Sequence, residues 1–270
     1  MCLIRPPQGW LELNLRELWA YRELLYFFVW RDVKVRYKQT LVGAGWAVLQ
    51  PLLAMAVFTL FFGKLARIPS DGLPYPVFYF CALLPWMYFA GALTTATNTV
   101  VDQQRVITKV FFPRILLPLA AVLTGLLDLA IGFVLLLGML AYYGIAPGMA
   151  MLWLPLFVLL ALATALGVGL WFSAMNALYR DVRYVVPFLV QVWMFASPVV
   201  YPASLVPAEW RGLYGLNPMA GVIEGFRWAV TGSGELHMQT LLASSSGVLL
   251  ILLGGLLYFQ RMESNLADVV

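Results

Sequence analysis

Charge is scarce in this sequence. Lys and Arg number 17 and Asp and Glu 13, so charged residues make up only 11% of the 270. An ordinary soluble domain carries roughly 25%. Hydrophobic residues reach 62%, and the mean hydropathy is +0.84. One soluble core cannot hide that much apolar surface, so lipid is the expected solvent. Histidine is nearly missing: His237 stands alone beside a Gly/Ser-rich stretch and reads as a solvated surface residue. The two cysteines, Cys2 and Cys81, lie far apart and make neither a disulfide framework nor a metal-ligand cluster. A phosphate-cradling loop is missing too. Gly63-Lys64 is followed by Leu65 rather than Ser or Thr, without the upstream glycine. Met1–Gln8 is short, holds two prolines and lacks the apolar core of a cleaved signal peptide, so the first span is expected to direct insertion. These absences leave a non-catalytic membrane protein that binds no ATP by that route.

Long uninterrupted apolar runs are abundant. Strands of a membrane barrel would alternate apolar and polar residues, whereas these runs are continuous, so helices are expected. Six spans follow from the pattern: 43–63, 75–97 (interrupted by Pro85), 115–143, 152–175, 184–201 and 241–259. Each is near the roughly 20 residues a bilayer needs. Residues 1–40 precede them as a cytoplasmic segment of interleaved aromatic, aliphatic and basic residues. They read as an amphipathic helix lying in the membrane interface, with a soluble helix pair as the alternative. The remainder, 41–270, reads as one transmembrane domain.

Thirteen of the seventeen Lys and Arg fall on the side of the N-terminus and four on the other. That asymmetry sets both termini in the cytoplasm. The outer segment 202–239 is too long for a turn and too apolar for a free loop. Pro207 to Arg211 reads as the start of one short helix. Asn217-Pro218 caps a second over Met219–Val230, ended by Thr231-Gly232-Ser233-Gly234. Such a pair reads as two amphipathic helices at the outer surface, either a lid or re-entrant pair or an ordered connector with no gating role, and Glu224 and Arg227 are spaced to pair on it.

Asp128 is the one acidic residue deep inside a span. Proton relay, substrate contact and a hydrogen bond to a neighbouring helix are the available roles. With no basic partner inside a span, the last is expected. On the fifth span Tyr184, Phe188, Gln191 and Phe195 recur at i, i+4, i+7 and i+11 and so share one face. Such an aromatic face around a polar group suits the C–H faces and hydroxyl rim of a sugar, and suits a lipid interface equally. The aromatics that open the second span, Tyr75, Phe78, Tyr79, Phe80, Trp86, Tyr88 and Phe89, read first as an interfacial belt.

Three stretches resemble a single family. They are RDVKVRYKQTLVGAGWAVLQPLL from Arg31, TNTVVDQQRVITKVFFPRILLPL within Pro85–Leu119, and NALYRDVRYVVPFLVQVWMFASPVVYP from Asn176, followed by Leu216-Asn217-Pro218-Met219 and Glu224-Gly225-Phe226-Arg227. Together they resemble the type-2 ABC polysaccharide exporter permeases of O-antigen, capsule and teichoic acid export, most nearly the O-antigen (lipopolysaccharide) branch. The resemblance implies a homodimer in the bacterial inner membrane, docked on two copies of an ABC ATPase that binds the ATP and Mg. It implies export of an undecaprenyl-diphosphate-linked glycan, with membrane lipids as the other partner and no nucleic acid. It implies a conduit lined by Trp46, Gln50, Tyr184, Phe188, Gln191 and Phe195. Gln103, Gln104, Arg105 and Lys109 would contact the ATPase. Tyr201, Trp210, Tyr214, Glu224 and Arg227 would belong to a periplasmic gate. Arg31, Lys34, Arg36 and Lys38 are placed to meet the lipid diphosphate, or phospholipid headgroups. A capsule, teichoic acid or drug exporter is the near alternative. A membrane-embedded glycosyl- or acyltransferase is the distant one, for which no catalytic motif is found.

If the loop around Arg105 couples to an ATPase, Arg105→Glu uncouples ATP hydrolysis from export. Unchanged substrate-stimulated hydrolysis in the reconstituted complex would leave the loop charges with topology alone.

Overall fold

Helices account for the regular structure of the described residues, which are 15–38, 41–233 and 237–269 of a computed structural model. Met1–Gln8, Cys2, the start of the interfacial segment and Gly234 lie outside them. The helices are α1 (Leu15–Ala20), α2 (Arg22–Lys38), α3 (Leu41–Phe58, continued by a π-helical turn Thr59–Leu65), α4 (Tyr75–Asp102), α5 (Gln104–Ile107), α6 (Leu116–Tyr142), α7 (Leu154–Leu178), α8 (Val182–Phe195), α9 (Arg211–Gly215), α10 (Pro218–Thr231) and α11 (Met238–Val269).

Five stretches are long and apolar enough to cross a membrane: Gly45–Leu65, Tyr75–Asp102, Leu116–Tyr142, Met149–Leu178 and Met238–Glu263. The expected fifth span differs. Its helix, α8, has 14 residues, about 21 Å of rise against a hydrocarbon core of about 30 Å. Beyond Phe195 the chain leaves the helix, and Ser197–Val200 runs buried and non-helical. Trp193 packs edge-on against Phe89 of α4, and the Val200 carbonyl meets the Tyr75 hydroxyl at 3.0 Å. A run of tight turns, with Ser197 N bonded to Met194 O and Val199 N to Ser197 O, follows the helix.

The core is built on α4, which packs against α3, α6, α7, α8 and α10. It is buried along most of its length, so its aromatics are core residues and not an interfacial belt. Tyr79 stacks on Phe58 at 4.8 Å, and Phe78, Phe80 and Phe89 are fully enclosed. Pro85 does not interrupt α4, which runs through it, as α3 runs through Pro51 and α8 through Pro187. Membrane helices tolerate proline where neighbours re-satisfy the freed backbone groups. Thr94, Thr97 and Thr99 fold their hydroxyls back onto the carbonyls four residues earlier.

α2 does not lie apart on a surface. It packs along α6, with Phe28 buried against Phe112 at 5.5 Å. Its aromatics fall on both sides, because Tyr26, Phe27 and Trp30 point outward.

α7 and α11 make the closest backbone approach. A Cβ built on Gly255 would stand 2.3 Å from the Gly167 carbonyl oxygen. Gly255→Ala is therefore expected to cost about 1–3 kcal/mol by overpacking. Gly138→Ala, with nothing within 4 Å, is expected to be neutral. Retention of folded protein after heating in detergent distinguishes the two.

Candidate functional site

The non-helical run after α8 shapes the outer half of the molecule. Its carbonyls have no helical partners, and side chains from elsewhere meet them. Tyr201 donates its hydroxyl to Phe195 O at 3.2 Å, and Asn217 donates Nδ2 to Ala196 O at 3.1 Å. Arg227 donates Nη2 to Pro198 O at 2.8 Å, and Tyr75 donates to Val200 O. Asn217 does most. Its Oδ1 also accepts from Trp193 Nε1 at 2.9 Å and from Met219 N at 3.0 Å, the second bond capping α10. Pro218 follows at the first helical position and Gly232 ends the helix at φ 64°, as the sequence pattern anticipates.

α10 is not an amphipathic surface helix. Nearly all of it is enclosed by α4, α7 and α11. Gly221 sits against Ser244, whose hydroxyl receives the Gly221 N–H at 3.1 Å, and Gly225 leaves room for the Phe157 ring. Gly215 and Leu216 lie alongside Thr240–Gly247 of α11, so the chain descends beside α11 before α10 returns. α9 and α10 thus form a hairpin packed against α11.

The five residues assigned to the gate meet here around Tyr214. Its hydroxyl donates to Tyr201 at 3.4 Å. On one side an open, apolar hollow of about 360 Å³ is lined by Trp193, Trp210, Leu213 and Tyr214. On the other side a polar cavity of about 420 Å³ is lined by Asp71, Ser204, Arg211, Tyr214, Glu224, Arg227 and His237, among others. Glu224 and Arg227 make no ion pair, contrary to their helical spacing. Arg227 turns instead to Pro198 O and lies 3.8 Å from the Phe78 ring centroid. Burial pushes the Glu224 carboxyl and the Tyr214 phenol above their ordinary ranges and brings Arg227 down to about 10. His237 is not a solvated bystander. It is half-buried, with Nε2 3.4 Å from Arg211 Nη1. Sequence reasoning missed Asp71, Arg211 and His237 as members of one cavity, because they come from separate segments with no shared spacing.

The α8 stripe faces away from its own bundle. Phe188 is 65% exposed and Phe195 54%, with Tyr184 and Gln191 also open, whereas Val186 and Val190 make the inward contacts. Trp46, 51% exposed, and Gln50 are on α3, which leans on α4 as α8 does.

At the other end Gln103 accepts from Arg31 Nη1 at 3.1 Å, and Gln104 opens α5. Arg105 and Lys109 are exposed beside Val110 and Phe111, while Ile107 and Phe112 anchor the loop inward. Of the four basic residues placed to meet the diphosphate, Arg31 bonds Asp32 at 2.8 Å and Lys34 lies over Trp30 at 4.3 Å. Lys38 is exposed. Arg36 pairs with Asp128 of α6, and Tyr37 donates its hydroxyl to the same carboxylate. Asp128 thus bonds a neighbouring helix, as expected, and its basic partner comes from the segment before the first span. The end of α2 reaches a point twelve residues inside α6, which no count along the sequence reveals.

The family model described as ABC-2 type transporter matches residues 23–231. An O-antigen export system permease protein RfbA of Myxococcus xanthus is 33% identical over 79% of this chain and 82% of its own length. A protein of the same name from Klebsiella pneumoniae is 26% identical over 92% and 95%. The polysialic acid transport protein KpsM of Escherichia coli is 23% identical over 74% and 78%.

Asn217→Ala removes a cap and three further bonds around Phe195–Pro198. A loss of about 2–3 kcal/mol is expected, from about 1 for the cap and about 1 for each buried partner left unmet. Asn217→Asp keeps both acceptor roles and recovers part of the loss. Unfolding midpoints of the purified variants in detergent measure the difference.

Proposed function

The chain belongs to the ABC-2 type transporter family, and we propose that it is the membrane subunit of an O-antigen exporter. In this reading it passes an undecaprenyl-diphosphate-linked polysaccharide from cytoplasm to periplasm, driven by two copies of a separate ABC ATPase that bind ATP and Mg. The relatives reported above carry export or transport names, which supports a transport subunit over a membrane-embedded transferase. The higher identity to the O-antigen permeases than to the polysialic acid protein favours O-antigen over capsule.

The observation that carries the reading is the unburied aromatic face of α8. Tyr184, Phe188, Gln191 and Phe195 are all exposed, and α3 is nearly unburied across its span. A second copy facing these helices closes a conduit whose walls include Trp46, Gln50 and the stripe. Broad ring faces hold a sliding glycan weakly at every register, which a chain of many sugars requires. Around it, Tyr201, Trp210, Tyr214, Glu224 and Arg227 form the outer gate. Gln103, Gln104, Arg105 and Lys109 receive the ATPase. Arg31, Lys34 and Lys38 meet the diphosphate or headgroups, with Arg36 reaching them only on leaving Asp128. Counting α8 and the non-helical run after it as a crossing gives six, with both termini in the cytoplasm of a bacterial inner membrane.

Phe188→Ala combined with Phe195→Ala is expected to lower surface glycan at least several-fold while leaving assembly with the ATPase intact. Both side chains are exposed, so the fold does not depend on them. Normal surface glycan in the double variant would remove the stripe from the conduit.

A further inference from the structure

We infer that the polar cavity between α9, α10 and the start of α11 is a binding site for an acidic sugar unit, its carboxylate held by Arg211 and Arg227. The starting observation is Arg227. Its residue is 7% exposed, yet Nε has no hydrogen-bond partner and no carboxylate comes within ion-pairing distance among the described residues. Buried cations are ordinarily paired, because desolvation is costly. Arg227 lines the cavity, and its single Nη2 bond to Pro198 leaves the guanidinium charge without a counter-ion.

The charge around the cavity favours an anion. Arg211 and Arg227 are cationic, and His237 sits beside Arg211. Asp71 is at the exposed rim and already accepts from Ser204 Oγ at 3.1 Å. Glu224 is held toward its neutral form by burial, so the two arginines outweigh Asp71. The remaining lining is hydroxylic, with Ser204, Ser233 and Tyr214 placed to meet sugar hydroxyls, and Trp228 adds a ring. A volume of about 420 Å³ lies in the range of small-molecule sites, about 300–1,000 Å³.

The inference deepens the export reading, which supplies a glycan to the outer side, but it is tested on the purified chain without transport. Glucuronate, glucose and inorganic phosphate are titrated against the protein in detergent, and stabilisation against heat gives each affinity. Glucuronate is expected to bind at least ten-fold more tightly than either glucose or phosphate. Arg227→Gln is expected to abolish the preference. Because Arg227 also supports Pro198, Arg211→Gln provides the second variant, and at least a ten-fold loss is expected there too. Glu224 also faces the site, with Asp71, Arg211, Arg227 and His237 around it. Burial holds its carboxyl above the ordinary range, so glucuronate affinity is expected to fall as rising pH ionises it and cancels one guanidinium. Equal binding of glucose, binding of phosphate alone, no stabilisation by glucuronate, or glucuronate binding undiminished in Arg211→Gln would each overturn the site. Failure of the Phe188/Phe195 export test would leave this result standing, so the two readings fail separately.

Discussion

A backbone that leaves its helix inside an apolar body must find other donors for its carbonyls, and that constraint organises this molecule. In hydrocarbon each unmet polar group costs several kcal/mol. α8 ends after 14 residues, and the run beyond it is tolerated only because Tyr201, Asn217, Arg227 and Tyr75 converge on Phe195, Ala196, Pro198 and Val200. Those four donors come from α4, α10, the start of α10 and the chain just past the turn. Satisfying one irregular segment therefore fixes where the hairpin sits. It draws Arg227 into the interior, and the polar cavity forms beside it.

Around that knot burial is uneven. α4 is enclosed on all sides, with its aromatics interlocked with those of α3 and α8. α3 and α8 are bound along one side only and present Trp46, Phe188 and Phe195 outward. At the other end α2 ties the loop after α4 to the middle of α6, through Arg31 on Gln103 and Arg36 on Asp128. One helix thus bridges the loop after α4 and the interior of a span.

Much of this was legible in the sequence. Period and run length marked the spans, because lipid punishes any interruption that is not compensated. Asn217, Pro218 and Gly232 marked α10 to within a residue, since capping is local chemistry. That the α8 stripe shares one face followed from its spacing, though not which way that face points. What could not be read was compensated by distant groups. Pro85 looks like a break until its neighbours are known. The short α8 looks like a span because the run of turns after it is equally apolar. The Arg36–Asp128 pair and the grouping of Asp71, Arg211, Glu224 and His237 depend on how helices lie against one another, and no periodicity records that. Spacing alone also misled at Glu224 and Arg227, where a free carbonyl and an aromatic face outcompeted the neighbouring carboxylate.

The contact of α7 with α11 has a mechanical consequence. Where Gly255 lies on the Gly167 carbonyl, backbone meets backbone, and the Trp171 ring, lying against Gly254 and stacked on Tyr258, holds the same seam from the side. Sliding one helix past the other would have to break both contacts, so the pair acts as a single stiff beam to which α4 and α10 are fastened. α3 and α8, held along one side only, are the elements least constrained by that beam.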